Sequence, residues 1–433
     1  MITSNRSIKN ATWIIFCRVI QALLNLFVTM LMARFYGPSN YGLLNYAASV
    51  VAFVAPFMKL GFSTTLVQEI VEFPKEEGKT LGTALTMNLI SSFLSIGGVA
   101  AFVSIANAGE RATLVTCLLY SINLPFHALE MIQYWFQAKL KSKYTSITML
   151  AAYIVVSIYR IILLLLGKNI YWFALSQAID YCIISTILII IYYKIGGSKL
   201  SIDWQRGKQM LNKSKYYILS SLMITIFAQT DKVMLKTMLG DEVTGFYSAA
   251  ATCAGMTSFV FSAIIDSAQP VILAAKKTGQ QEFEKGMTAL YSIVIWLALI
   301  QSLIVTVFAG LITRILYGAE YYPSAGILQL LVWYTAFSYI GSARTIWILG
   351  EGKHHLLWKL NLAGVLTNVF LNAILIPRWG AMGAALASLV TQFFTNVFIG
   401  FIVPSLRVNN KLILLALNPV WLIKKAKMIL KKG

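Results

Sequence analysis

Tyr36–Ser49 reads YGPSNYGLLNYAAS. Its two glycines, Gly37 and Gly42, have four residues between them. A phosphate-cradling P-loop has that spacing, but needs Lys and Ser/Thr after the second glycine. Leu43 and Leu44 follow here, so the pair is not a nucleotide site. Gly37-Pro38 reads instead as a turn where one helix stops and the next begins. Gly42 reads as a point of close helix approach. The stretch also recurs. LGDEVTGFYSAAAT, Leu239–Thr252, places Gly240 and Gly245 at the same separation. At an offset of 203 residues, Leu43 and Leu44 meet Phe246 and Tyr247, Asn45 meets Ser248, and Ala47 and Ala48 meet Ala250 and Ala251. A weaker match pairs YWFQAKLKSK, from Tyr134, with IWILGEGKHH, from Ile346, so that Trp135 meets Trp347. The chain therefore reads as two halves built on one plan.

Composition says what surrounds those halves. Of 433 residues, 58% are hydrophobic and 12% charged, against about 25% charged in ordinary soluble domains. Apolar runs of at least about 18 residues, enough to cross a hydrocarbon core, recur throughout. The sequence predicts an all-α polytopic membrane protein with helices at 12–34, 42–62, 83–106, 112–136, 145–167, 170–193, 216–239, 245–270, 287–309, 324–349, 357–377 and 381–404. The first run is too long for a cleaved signal peptide. The twelve helices form two six-helix lobes, 1–193 and 216–404, joined by a cytoplasmic basic loop at 194–215. The tail 405–433, apolar then basic, reads as an interfacial cytoplasmic segment. Six is an even number, so the two lobes insert in the same orientation, as parallel repeats do in some secondary transporters.

The net charge of +20 follows that topology. With both termini cytoplasmic, the inner segments collect 26 Lys and Arg and the outer segments 6. This is the positive-inside pattern, so the basic balance concerns orientation and anionic lipid and not nucleic acid. The four cysteines, Cys17, Cys117, Cys182 and Cys253, stand singly inside apolar runs, with no metal or redox spacing.

Nine ionisable residues fall inside predicted spans: Arg18, His127, Glu130, Arg160, Asp180, Asp231, Lys232, Asp266 and Arg344. A charge at the bilayer centre costs about 2.5–3.5 kcal/mol on insertion scales, so each needs a partner or a wet cavity. Helical spacing says which way they face. Arg18, Gln21, Asn25 and Thr29 form one stripe on the first helix, suited either to interhelical hydrogen bonds or to a cavity wall. Tyr120, Asn123, His127, Glu130, Tyr134 and Gln137 form another on the fourth, with Pro125 able to loosen it. The His127/Glu130 pair, at i, i+3, is a candidate protonation site. Ser221, Thr225, Gln229, Lys232 and Lys236 stripe the seventh helix. Lys232 is expected to face the cleft or to snorkel to the interface, and Asp231, about 100° round, to pair with a neighbour or take a proton. Arg160 and Asp180 lie on successive helices and can pair with each other. Asp266 reads as a helix-end contact, and Arg344 is off its helix's polar face. No HExxH, GxSxG or Walker A sequence is present. The reading is of a transporter, not an enzyme, that needs no cofactor or metal.

RFYGPSNYGLLNYAAS (34–49), FAQTDKVMLKTMLGDEVTGFYSAAAT (227–252) and TNVFLNAILIPRWGAMGAALASLVTQ (367–392), taken in order, resemble the polysaccharide-transporter branch of the multidrug/oligosaccharidyl-lipid/polysaccharide exporter superfamily, above all its Wzx-type O-antigen flippases. The resemblance runs over essentially the whole chain. It implies two lobes in a V around a cavity of alternating access, in a bacterial inner membrane. The implied substrate is an undecaprenyl-pyrophosphate-linked oligosaccharide, moved from the cytoplasmic to the periplasmic leaflet. Arg18, placed like an arginine in the first helix of the lipid II flippases, would neutralise pyrophosphate together with Lys232. Gln21, Asn25, Tyr120, Asn123 and Tyr134 would meet sugar hydroxyls. Coupling to H+ or Na+ is implied, with Asp231, Glu130 and His127 as candidates; Arg160, Asp180, Asp266 and Arg344 rank behind. Membrane lipids and polysaccharide polymerase or assembly proteins are the implied partners. The alternative is a cation-drug antiporter of the same superfamily. A drug-cation cavity should be net acidic, whereas the intramembrane residues here are four basic and four acidic, His127 aside.

Overall fold

Gly37 has φ 73° and ψ 173°, a backbone state in which only glycine is unstrained. Gly240, its counterpart in the repeat, has φ 91° and ψ −174°. Each glycine ends one helix and turns the chain into the next. Pro38 then opens the first copy, where a missing N–H costs nothing. Asp241 and Glu242 open the second, where carboxylates meet the positive end of the helix dipole.

A computed structural model describes the backbone of residues 2–418 and the side chains of Cys17 and of residues 19–418. Its helices are α1 Ile2–Met58, broken at Gly37, α2 Phe62–Glu72, α3 Glu77–Ala106, α4 Arg111–Ser121, α5 Asn123–Leu129, α6 Gln133–Ala138, α7 Ser142–Leu165, α8 Ile170–Lys194, α9 Trp204–Leu239, α10 Asp241–Gly255, α11 Ser258–Thr278, α12 Gln280–Tyr317, α13 Ser324–Gly350, α14 His355–Phe393, broken at Gly380, α15 Ile399–Ile402 and α16 Arg407–Ala416. No strand occurs among the described residues. Nine stretches among them are long and apolar enough to cross a membrane, and two of these, Val19–Glu72 and His355–Ile402, run through a glycine break. The chain is thus a multi-pass membrane protein.

Several boundaries differ from the sequence reading, each for a local reason. The helix expected at 112–136 is interrupted at Ile122 and by a 3-10 turn at Glu130–Ile132. Pro125 removes a backbone donor there. The helix expected at 245–270 is two, α10 and α11, separated at Met256-Thr257. The basic stretch expected as a loop at 194–215 is helical from Trp204, because Asp203 caps α9 by accepting from the Arg206 N–H at 3.1 Å. The tail beyond Asn418 lies outside the described residues.

The chain divides into two compact units, Met1–Gly245 and Phe246–Gly433. In the first, α9 packs beside α1, and the two repeat motifs cross. A methyl group on Gly42 would collide with the carbonyl oxygen of Asp241, and one on Gly245 with that of Pro38. At the 203-residue offset Pro38 corresponds to Asp241, so the two close approaches are reciprocal. Beside the crossing, Tyr46 donates to Asn107 at 2.6 Å and Ser49 to Gln229 at 2.9 Å. Buried Lys236 bonds Glu110 at 2.7 Å and Asp241 at 2.9 Å. The far end of the unit is tied by ions. Glu69 receives Lys213 at 2.6 Å and Arg206 at 3.4 Å, Arg206 also pairs with Glu76, and Lys139 meets Glu77 at 2.6 Å. Between the two ends lie apolar clusters around Tyr46, Val50 and Val99, and around Phe62, Trp135 and Tyr192.

The second unit has its own core around Phe261, Phe283, Tyr291 and Trp347. The weaker repeat pair also has one geometry. Leu140 (φ 54°) and Gly352 (φ 67°) end their helices left-handed. Lys141 N–H returns to the Phe136 carbonyl at 2.7 Å, and Lys353 N–H to that of Ile348 at 3.0 Å. Lys141 then lies 5.7 Å over buried Trp135, and Lys353 4.7 Å over buried Trp347.

Candidate functional site: a polar seam in the first unit

Polar side chains inside the first unit link α1 to α7 and α7 to α8 by hydrogen bonds, and α5 to α8 by a ring stack. At one end of the seam, Tyr153 of α7 donates to the Asn25 oxygen at 2.8 Å. Two turns on, Arg160 Nε donates to Ser176 at 2.8 Å and its terminal nitrogen to the Gln177 oxygen at 2.7 Å. Among the described residues no ion pair joins Arg160 to Asp180. The guanidinium is engaged by two α8 side chains one turn earlier, so the direct pair the sequence allowed does not form. Asp180 is buried, and its Oδ1 has no hydrogen-bond partner in the structure. Tyr120 lies in electrostatic range of both Arg160 and Asp180.

The seam continues through the loosened helix. His127 Nε2 stands 3.4 Å from Glu130 Oε2, and its ring stacks on Tyr181 with centroids 4.4 Å apart. Buried Glu130 also accepts from Gln133 at 3.1 Å. A polar network is tolerated in such an interior only where its members find one another.

Two cavities flank this region. One, of about 220 Å³, is lined by Cys17 and Gln21 of α1, Gln133 and Gln137 of α6, and Ser142, Thr145, Ser146 and Met149. Amides and hydroxyls on that wall can donate to and accept from a neutral polyol, and among the described residues no carboxylate lines it to select a cation. The other, of about 320 Å³, lies at the elbow between α1 and α2 and is walled by α9. In the second unit a cavity of about 330 Å³, lined by Cys253, Met256, Leu311, Ile315 and Leu328 among others, is mostly apolar.

Other candidate residues are placed as follows. The Arg18 side chain lies outside the described residues. Asn123 is buried, and Tyr134 interacts with Ser63 at the elbow. Asp231 is buried and Lys232 half-buried on α9. Asp266 is exposed on α11. Arg344 is buried in the second unit, where it donates to the Thr395 carbonyl at 2.5 Å, within a π-helical turn at Phe394–Phe398. That bond uses Arg344 to hold backbone. Tyr153, Ser176, Gln177, Tyr181 and Gln133 join the seam although no stripe announced them.

Outside the spans, Glu110 and Glu351 are carboxylates made more acidic. Burial works against ionised Glu110, but the bond and charge of Lys236, with bonds from Thr113 and Asn107, together outweigh it and hold the carboxyl below its usual range. Burial likewise opposes ionised Glu351, and the 2.5 Å bond from Lys276, a bond from Gln280 and the charges of Lys276 and Lys353 together outweigh it, with the same result. Among the described residues no group of three or more His, Cys, Asp or Glu is placed to hold a metal ion.

Comparison with known proteins extends these observations. Residues 7–276 match the family described as polysaccharide biosynthesis protein. The capsular polysaccharide biosynthesis protein CapF of Staphylococcus aureus is 24% identical over 399 residues, covering 89% of this chain and 96% of that one. Lipid II flippase MurJ, solved in an inward closed conformation, superposes with a TM-score of 0.70 at 16% identity, over 93% of this chain and 90% of its own. An inward-facing multidrug resistance MATE family transporter of the MOP superfamily gives 0.67 at 14% identity, over 90% and 94%. The fold of this chain is that of these two solved proteins.

Proposed function

The chain belongs to the polysaccharide biosynthesis protein family, and from that membership we propose that it is a flippase for a lipid-linked oligosaccharide. The cargo is a capsule or O-antigen repeat unit on undecaprenyl pyrophosphate, carried from the cytoplasmic to the periplasmic leaflet of the bacterial inner membrane. The similarity to a capsular polysaccharide biosynthesis protein supports the glycan class, and the shared fold with a lipid II flippase supports the mode of action. The carrying observation is the amide- and hydroxyl-lined cavity beside the polar seam. Such a wall, set among membrane-spanning helices, suits sugars. A greasy cation would need a carboxylate there instead.

In this reading twelve spans, with both termini cytoplasmic, form six-helix halves that alternate access. Arg18, three residues before Gln21 of the cavity wall, neutralises the pyrophosphate, with Lys232 as a second cation. Glu130, His127 and Asp231 take the coupling ion, H+ or Na+. The test is Arg18→Ala in a strain that lacks its own copy of the protein. Surface glycan should disappear while the protein stays in the membrane at its normal level. Glycan at the wild-type level would remove Arg18 from the substrate site.

A further inference from the structure

The elbow cavity stands apart from the polar seam, and its chemistry is specific. Its wall combines Lys59 with the hydroxyls of Ser63, Thr64, Ser220, Ser221 and Thr225. The chain reaches Lys59 at the end of α1 and turns sharply through Leu60 (φ 49°) and Gly61 (φ 64°). Gly61 is required there because a methyl group would stand 2.8 Å from the Ser214 carbonyl of α9. The turn therefore presses α9 against the elbow and brings its hydroxyls to face Lys59. The first turn of α2, which carries Ser63 and Thr64, opens on the same space and adds the positive end of an eleven-residue helix.

Three other cations at this end of the unit are ion-paired. Arg206 and Lys213 are taken by Glu69 and Glu76, and Lys139 by Glu77. Lys59 has no carboxylate within ion-pair distance among the described residues; Glu130 acts on it only at longer range. A half-buried ammonium that faces hydroxyls and a helix N-terminus, with no anion beside it, is a seat for an anion. Resting on the flippase reading, we propose that this cavity is an entry seat that takes the substrate's diphosphate before it reaches Arg18, with Lys59 as its charge ligand and the Ser/Thr hydroxyls as donors to its oxygens. It lies at the end of the unit that the charge count assigns to the cytoplasm, where the cargo is first met.

The same chemistry could serve an ordinary anionic phospholipid, so the test separates the sources. Full-length purified protein is titrated with farnesyl diphosphate, with farnesol and with phosphatidylglycerol, for wild type, Lys59→Gln and Lys59→Arg. Removing the charge should weaken farnesyl diphosphate binding by about tenfold or more, the scale of one charge-assisted bond. Arginine should restore it to within about threefold, and farnesol binding should not depend on residue 59. The proposal is overturned if Lys59→Gln binds the diphosphate as wild type does. It is also overturned if phosphatidylglycerol binds as tightly and loses as much in the variant, since the seat is then a lipid site. Failure of the underlying reading looks different: wild-type protein would not restore glycan export to a deficient strain, whatever residue 59 is.

Discussion

At the scale of single residues, the charged side chains do different work from what their spacing implies. Arg160 and Asp180 sit on successive helices, where opposite charges invite pairing, yet Arg160 is engaged by Ser176 and Gln177. Spacing sets which face a residue occupies, but the rotation of two helices against each other decides which turn it meets. Lys59 was equally hard to read, because a lysine at the end of an apolar run looks like an interfacial anchor. Glu351 offers a clean test of the local electrostatics. Its folded acidity is held below the ordinary carboxylate value by Lys276, Gln280 and Lys353 together. The stabilisation is therefore fully present above the unfolded pKa of about 4.3 and is lost as pH falls through the lower folded value. Thermal midpoints of wild type and Glu351→Gln should differ by a constant amount near neutrality and converge in acid. A gap that persists unchanged in acid would show that Glu351 acts through packing alone.

At the scale of elements, the glycine motif does two jobs that can be separated. Gly37 and Gly240 supply the positive φ of a turn, which the sequence showed plainly because Gly-Pro and Leu-Gly-Asp interrupt apolar runs. Gly42 and Gly245 supply closeness, and only their common spacing hinted at it. The structure places each against the backbone that opens the other copy's helix, an arrangement no single-helix periodicity contains. Gly42→Ala and Gly245→Ala should each lower the thermal midpoint, by about 1–3 kcal/mol of overpacking strain. The double variant should cost less than the sum, since one crossing is damaged twice. Gly310 is the control. It lies inside α12 with nothing within 4 Å of an added methyl, so alanine there should stabilise by up to about 1 kcal/mol. If Gly42→Ala behaved like Gly310→Ala, the crossing would not be a tight contact.

At the scale of the whole molecule, the apolar runs were legible because a membrane demands long helices, while the breaks inside them depended on Pro125, Asp203 and the Met256-Thr257 joint. The polar seam was half legible: His127, Glu130 and Asn25 stood on stripes, whereas Tyr153, Gln177 and Gln133 are single polar groups on otherwise apolar faces. Orientation rests on charge. Eight carboxylates fall on the inner segments and four on the outer, leaving excesses of 18 and 2 cations. Much of the inner charge near α9 is neutralised by Glu69, Glu76 and Glu77. Topology depends on Lys and Arg far more than on net charge, so that neutralisation should not weaken the bias. Alkaline phosphatase fused after Lys168 or Gly318 should therefore be active, having crossed the membrane. Fused after Lys199, Thr278 or Lys353 it should be inactive. Activity at Lys199 would invert the first half and, with it, the side from which Lys59 meets its ligand.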